Sequence, residues 1–382
     1  MKRLFVAREL EDTFSASSVG ALINECLHMG WPLDPSVGRR EVEEFLGTLG
    51  FDLDDTSRPI DLYAALNSVR QACWNGDSPL WSRYVESRRS NVERMSVPQH
   101  VSIGLTRTYH RAAVSSSRRA RLPLPIAHPA QKDTAWTIRS STVPVVETFE
   151  HPGALDVKMG GECSSFSIEV EYRASLTPQR PRPDEGKSDV PLTDVQSPFM
   201  DYQRISEKLY MLAEDTSLER KMRTLWNLFL QTLVSGHIHH SACTSKGCIQ
   251  GVCFDCVTGS WSLAKCAETL GIPARVLSGV ILNDFGPTPH FWCEVYLNGD
   301  WLPVDLYGWD LSDGDSGWTS RFFLSLECRL RFEMYPYAFS RFLPNIPWFI
   351  ERRSFSGTTY VTYKCQRTGQ LLAEDAWRLN FL

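Results

Sequence analysis

Between Cys256 and Asp305 the chain presents a cysteine, a histidine and an aspartate in that order, each in a context suited to covalent acyl transfer. The cysteine opens a predicted helix. The histidine starts an alternating run, His290-Phe-Trp-Cys-Glu-Val-Tyr-Leu297, and the aspartate ends a second one, Asp300-Trp-Leu-Pro-Val-Asp305. A thiolate that faces an imidazole, itself held by a carboxylate, can form and release thioesters.

The elements that must position these groups are legible locally. Asp255 is a good N-cap, and Ser260, Leu263, Ala264, Ala267 and Leu270 form one face at helical spacing. Gly271 supplies the stop and Pro273 prevents continuation. Cys256 then lies in the first turn, where free amides and the helix dipole favour a thiolate and could bind an oxyanion. Cys253 competes as nucleophile, because Gly251-Val-Cys253 is also a plausible lead-in to a site. Cys266 falls among apolar neighbours and reads as core.

Strand alternation puts His290, Trp292, Glu294 and Tyr296 on one face. Asn298-Gly299 predicts a two-residue type I′ hairpin turn. Folding about it pairs Leu297 with Asp300, Tyr296 with Trp301 and Trp292 with Asp305. Asp305 thus shares a face with His290 as its diagonal neighbour, about 7–8 Å away and within side-chain reach. Glu294 and Tyr296 lie nearer the turn and are given no role.

These segments together resemble the transglutaminase-like (papain-like cysteine acyltransferase/protease) superfamily. The resemblance rests on Gly271-Ile-Pro-Ala-Arg275-Val-Leu-Ser-Gly279, His290-Phe-Trp-Cys-Glu-Val-Tyr-Leu297 and Gly299-Asp-Trp-Leu-Pro-Val-Asp305, over roughly residues 215–310. It implies Cys256 as nucleophile, His290 as acid/base and Asp305 as the residue that orients the imidazolium. The family spacing to Gly271 selects Cys256 over Cys253. Where the family often has glycine two residues before its cysteine, this chain has Phe254, which could wall an acyl pocket with Trp292. Trp226, on a lead-in helix with Arg223, is the candidate for an oxyanion-hole side chain. The implied fold is α+β: a papain-like transglutaminase core, its catalytic helix packed on an antiparallel sheet, preceded by a β-sandwich and an N-terminal helical domain.

The resemblance also implies a donor and an acceptor. The donor would be an amide or thioester, a carrier-protein thioester included, and the acceptor an amine. The five tryptophans between residues 261 and 318 (Trp261, Trp292, Trp301, Trp309, Trp318) suit a shielded channel that keeps water from the acyl-enzyme. The alternative is a cysteine protease or amidase that hydrolyses the same intermediate. A second alternative has no chemistry, only a binding protein, stabilised by zinc through His237, His239, His240, Cys243, Cys248, Cys253 and Cys256. No cofactor, metal or calcium is expected for the triad reading.

The 382 residues predict two or three domains. Hydrophobic and charged fractions of 42% and 22% are those of a soluble globular chain, and a net charge of −5 argues against nucleic-acid binding. No apolar run is long enough to span a membrane. The start MKRLFVARELEDTF lacks a secretory apolar core, and eleven cysteines suit a reducing cytoplasm, so a cytoplasmic location is expected.

Four regions follow from the patterning. Residues 1–95 read as a helical domain, with Val19, Leu22, Ile23 and Cys26, then Val42, Phe45, Leu46 and Leu49, at helical spacing. Residues 96–177 alternate like antiparallel strands of a β-sandwich, in which Arg118, Arg119 and Arg121 read as a solvated loop. Residues 178–200, rich in Pro and charge, read as a linker. Residues 201–382 read as one catalytic α+β domain, beginning with helices at 203–213 and 218–233.

Overall fold

A computed structural model describes residues 17–20, 22–23, 26, 39–60, 65, 68–69, 72, 97–110, 119–151, 153–161, 164–178, 217–232, 234–235, 253–254, 256–282, 287–305, 329–333, 348–355, 357–365, 368 and 370–381. The fold is mixed α+β and mostly strands. The chain divides into two compact units. The first comprises Met1–Ser90, Gln179–Val276 and Phe291–Leu326, the second Asn91–Pro178, Leu277–His290 and Glu327–Leu382.

In the first unit, strand β1 (Ser17–Ser18) pairs antiparallel with β2 (Pro59–Ile60). Between them lies helix α1 (Arg39–Thr48), which buries Val42, Phe45 and Leu46 as their spacing predicts. Val19, Leu22, Ile23 and Cys26 are likewise buried. The unit also holds α2 (Leu218–Thr232), within a residue of the predicted 218–233 span, and α3 (Cys256–Thr269). Met222, Leu225 and Trp226 of α2 are buried, and α2 packs on α3. The predicted helix at 203–213 lies outside the described residues.

The second unit is a β-sandwich. One sheet has the order β15-β16-β17-β3-β8-β5, formed by β3 (Gln99–Tyr109), β5 (Gln131–Ser141), β8 (Phe166–Leu176), β15 (Trp348–Phe355), β16 (Thr358–Cys365) and β17 (Leu371–Phe381). The other has the order β4-β7-β6, from β4 (Arg119–Pro123), β6 (Val145–His151) and β7 (Ala154–Met159). Their inner faces supply the core. Along β8, Phe166, Ile168, Val170, Tyr172, Ala174 and Leu176 are all buried, the two-residue period of a half-buried strand.

Two expectations are corrected here. The stretch 201–382 is not one continuous domain, because the strands from 348 onward complete the sandwich sheet. β17 pairs with β3 over Phe381↔Val101 to Ala373↔Tyr109, so residues 373–381 are held by backbone bonds to residues 101–109. The basic segment is no loop either. Arg119 and Arg121 lie in β4, and Arg121 forms a two-pronged pair with Asp156 across the Arg121↔Asp156 register of β4 and β7. Arg118 lies outside the described residues.

A four-stranded sheet has the order β13-β12-β11-β14, from β11 (Ala274–Ile281), β12 (Thr288–Leu297), β13 (Asp300–Val304) and β14 (Arg329–Glu333). The division between units falls inside β11 and β12. Among the described residues, no helix is long and apolar enough to cross a membrane.

Candidate active site

Cys256 is the first residue of α3 and is half-buried. The backbone before it is extended. Cys253–Phe254 form β10, which pairs in parallel with β9 (Val234–Ser235). The chain passes from strand to helix within two residues, and Cys256, not Cys253, lies in the first turn of α3. Ser260 donates its hydroxyl to the Cys256 carbonyl at 2.6 Å, one turn on. The expected N-cap Asp255 lies outside the described residues.

At its other end the helix stops as predicted. Gly271 has φ +78°, and Ile272 donates its amide back to the Ala267 carbonyl at 3.0 Å. That left-handed turn is open to glycine at little cost. It swings the chain from α3 into β11.

The hairpin has the predicted register. Leu297 pairs with Asp300, Tyr296 with Trp301 and Cys293 with Val304. Asn298 and Gly299 have φ of 53° and 86°, the two left-handed residues a type I′ turn requires. The pairing ends at Cys293 and Val304, with Trp292 and Asp305 the next residue on either strand. Both residues are buried, at 0% and 3% exposure. His290, two residues before Trp292 in β12, is buried at 4%.

The two faces of the hairpin differ chemically. Cys293, Val295, Leu297, Leu302 and Val304 form an apolar, buried face. The opposite face carries Trp292, Glu294 and Tyr296 against Asp305, Pro303 and Trp301. Here Glu294, fully buried, accepts from Arg275 Nε at 3.1 Å and Nη2 at 2.7 Å through one carboxylate oxygen. Its other oxygen accepts the Trp292 indole N–H at 3.3 Å. The Arg275 guanidinium carbon lies 4.2 Å from the Trp301 ring centroid. Tyr296 meets Trp301 edge-on at 5.4 Å.

Glu294 therefore has a function that the sequence reading did not assign. The signal was there: a carboxylate on an alternating strand between two tryptophans, with Arg275 on the preceding segment. A buried carboxylate demands a cation or donors. The same bonds narrow the uses of the tryptophans. Trp292 directs its N–H to Glu294 and Trp301 lies under Arg275, whereas Trp261 on α3 is half-buried. Trp309 and Trp318 lie outside the described residues.

Two other thiols near the helix, Cys266 and Cys293, are buried. Burial pushes the Cys266 thiol up to about 12. Burial also pushes the Cys293 thiol up, and the carboxylates of Glu294, Glu268 and Asp305 push it in the same direction. Trp226 is buried on α2. Phe254 lies in β10, and His237, His239, His240, Cys243 and Cys248 fall outside the described residues.

Residues 234–306 match the family model of the transglutaminase-like superfamily core. This stretch begins at β9 and runs one residue past Asp305, so it takes in the β9–β10 pair, α3, the β12–β13 hairpin and all three candidate catalytic residues. Over residues 234–306 the sequence is thus transglutaminase-like.

No curated protein matches the chain. Among solved structures, a candidate cysteine protease from Cytophaga hutchinsonii aligns at 15% identity and TM-score 0.41, covering 75% of this chain and 98% of its own. A structure described as a TGase aligns at 15% identity and TM-score 0.22, over 44% of this chain and 45% of its own. A candidate protease from Parabacteroides distasonis aligns at 9% identity and TM-score 0.23, over 74% of this chain and 90% of its own.

Proposed function

We propose that this protein is a cysteine-dependent acyltransferase with Cys256 as nucleophile, His290 as acid/base and Asp305 as the carboxylate that orients the imidazolium. The observation that carries the reading is the setting of Cys256. Cys256 is half-buried, whereas Cys26, Cys266 and Cys293 are buried, and it opens a helix within the family-matched core. The type I′ register supports the other two roles, since continued by one residue it would set Asp305 on the hairpin face that strand alternation also gives to His290.

The chemistry has two halves. The Cys256 thiolate adds to the carbonyl carbon of an amide or thioester, a carrier-protein thioester included. The C–N or C–S bond then breaks, and His290 delivers a proton to the departing amine or thiol. An acceptor amine next adds to the thioester and gives its proton to His290. Collapse forms the new amide and returns the Cys256 thiolate. The helix-end amides at α3 are suited to the oxyanion of both tetrahedral intermediates. Phe254 and Trp292 would serve as walls of the acyl pocket, and Trp226 as the candidate oxyanion-hole side chain.

Incubation with a panel of acyl amides and acyl thioesters, followed by intact mass and peptide mapping, tests this. A thioester adduct on Cys256 that an added amine discharges to an amide is the expected result. An adduct on Cys253, or none with any donor, overturns the nucleophile assignment. Discharge to the free acid at a rate that amines do not alter makes the protein a hydrolase.

A further inference from the structure

We propose that Glu294 is a positioning residue of this site, which holds the Trp292 indole in one orientation across from Asp305 and ties it to Arg275 and Trp301. The inference rests on the triad reading above and adds a device that keeps its carboxylate arm in register.

The geometry separates this network from the hairpin's packing. Stability of the β12–β13 pair has its own source in the apolar face of Cys293, Val295, Leu297, Leu302 and Val304. The opposite face, which bears Asp305, is where the polar bonds lie. A buried ion pair there stabilises little more than well-packed apolar residues of similar volume would, because desolvation offsets its Coulomb attraction. What it contributes beyond that is direction. Glu294 uses both oxygens, one for the Arg275 guanidinium and one for the Trp292 N–H. A flipped indole would lose its acceptor and leave a buried N–H unsatisfied. Arg275 cannot follow Glu294 freely either, since its guanidinium lies over Trp301 of β13, on the far side of β12. Trp292 is thereby clamped one residue beyond the Cys293–Val304 pair, as Asp305 is on the other strand, where the indole would limit the place of the Asp305 carboxylate.

The test is the iodoacetamide rate at Cys256 across pH, mapped by peptide mass, in wild type, Asp305→Asn, Glu294→Ala, Glu294→Gln and Trp292→Phe. Thermal melting of each variant is measured in parallel. In wild type and at pH 6, Cys256 is expected to react far faster than a free thiol, and Asp305→Asn to lose that advantage. Glu294→Ala is expected to slow the pH 6 rate by about 10- to 100-fold, the scale set by misplaced supporting groups. Glu294→Gln restores an acceptor for the indole and should recover most of the loss. Trp292→Phe, which leaves Arg275 and Glu294 in place but removes the N–H link together with part of the ring volume, should shift the profile the same way.

Two results overturn the inference differently. If wild type shows the low-pH reactivity and the Glu294 and Trp292 variants keep it while only melting earlier, Glu294 is structural and the triad stands. If wild-type Cys256 reacts like an ordinary thiol, the triad reading fails and this inference with it.

Discussion

Arg107 and Asp375, 268 positions apart, meet in the sandwich core as a two-pronged ion pair with both N–O distances at 2.6 Å. Their side chains are 4% and 0% exposed. Burial opposes the guanidinium charge, but the Asp375 carboxylate outweighs it and holds Arg107 firmly charged. Tyr363 donates its hydroxyl to Asp375 at 3.0 Å, and Arg107 Nη1 donates to the Arg121 carbonyl at 2.9 Å. The pair bridges β17 and β3, joining the chain's last strand to its first sandwich strand.

Removing one partner should cost far more than removing both. Arg107→Ala strands a buried carboxylate and is expected to lower stability by about 3–5 kcal/mol. The double variant Arg107→Met, Asp375→Leu should recover most of that loss. Tyr363→Phe should cost about 1 kcal/mol, the value of one hydroxyl bond. Urea midpoints of the four proteins check the ordering.

Among the described cysteines, alkylation should be selective. Cys266 and Cys293 are buried with raised thiol pKa values, and Cys26 is buried, so Cys256 is expected to label first at neutral pH. Cys256→Ser should abolish the fast phase and Cys253→Ala should preserve it. Fast labelling retained in Cys256→Ser disproves the assignment.

Acyl transfer should depend steeply on the two partners of the thiol. His290→Ala and Asp305→Asn are each expected to lower kcat/KM by about 100- to 10,000-fold. Prior treatment with a chelator should leave the wild-type rate unchanged. One tightly held equivalent of zinc, by metal analysis, would instead support the binding-protein reading.

Acid stability should depend on Glu171, whose carboxyl is lowered from its ordinary 4.5 to about 2. The Ser102 hydroxyl, at 2.7 Å, is the chief cause, followed by Arg173 at 2.8 Å and Arg139. A carboxyl with a depressed folded pKa adds stability above its unfolded value, and that stability drains away as protons bind the native state. The loss should therefore run from pH 4.5 down to about 2. Over this window wild type should lose more melting temperature than Glu171→Gln, and added salt should narrow the gap.

How much was legible varied with the range of the interaction. The α3 boundaries and the β12–β13 register were readable because each is encoded within a few residues: a cap, a glycine stop, an alternating run and Asn298-Gly299. The strand at 119–123 was hidden because Arg119 and Arg121 look solvated until Asp156 is set opposite Arg121. Glu294 was passed over because its distance from the turn says nothing of Arg275, which arrives from another strand.

The sequence by itself determined the helix that Cys256 opens, the hairpin that leads from His290 to Asp305, and the transglutaminase-like pattern of residues 234–306. These follow from backbone preferences and side-chain periods, which act over one or two turns. Only the tertiary structure decided that the strands after residue 348 complete a sheet begun at Gln99, that Arg107 is neutralised by Asp375, and that Glu294 joins Trp292 to Arg275. Pairing across such separations depends on which buried charges and strand edges remain to be satisfied once the chain has collapsed, and no local pattern records that.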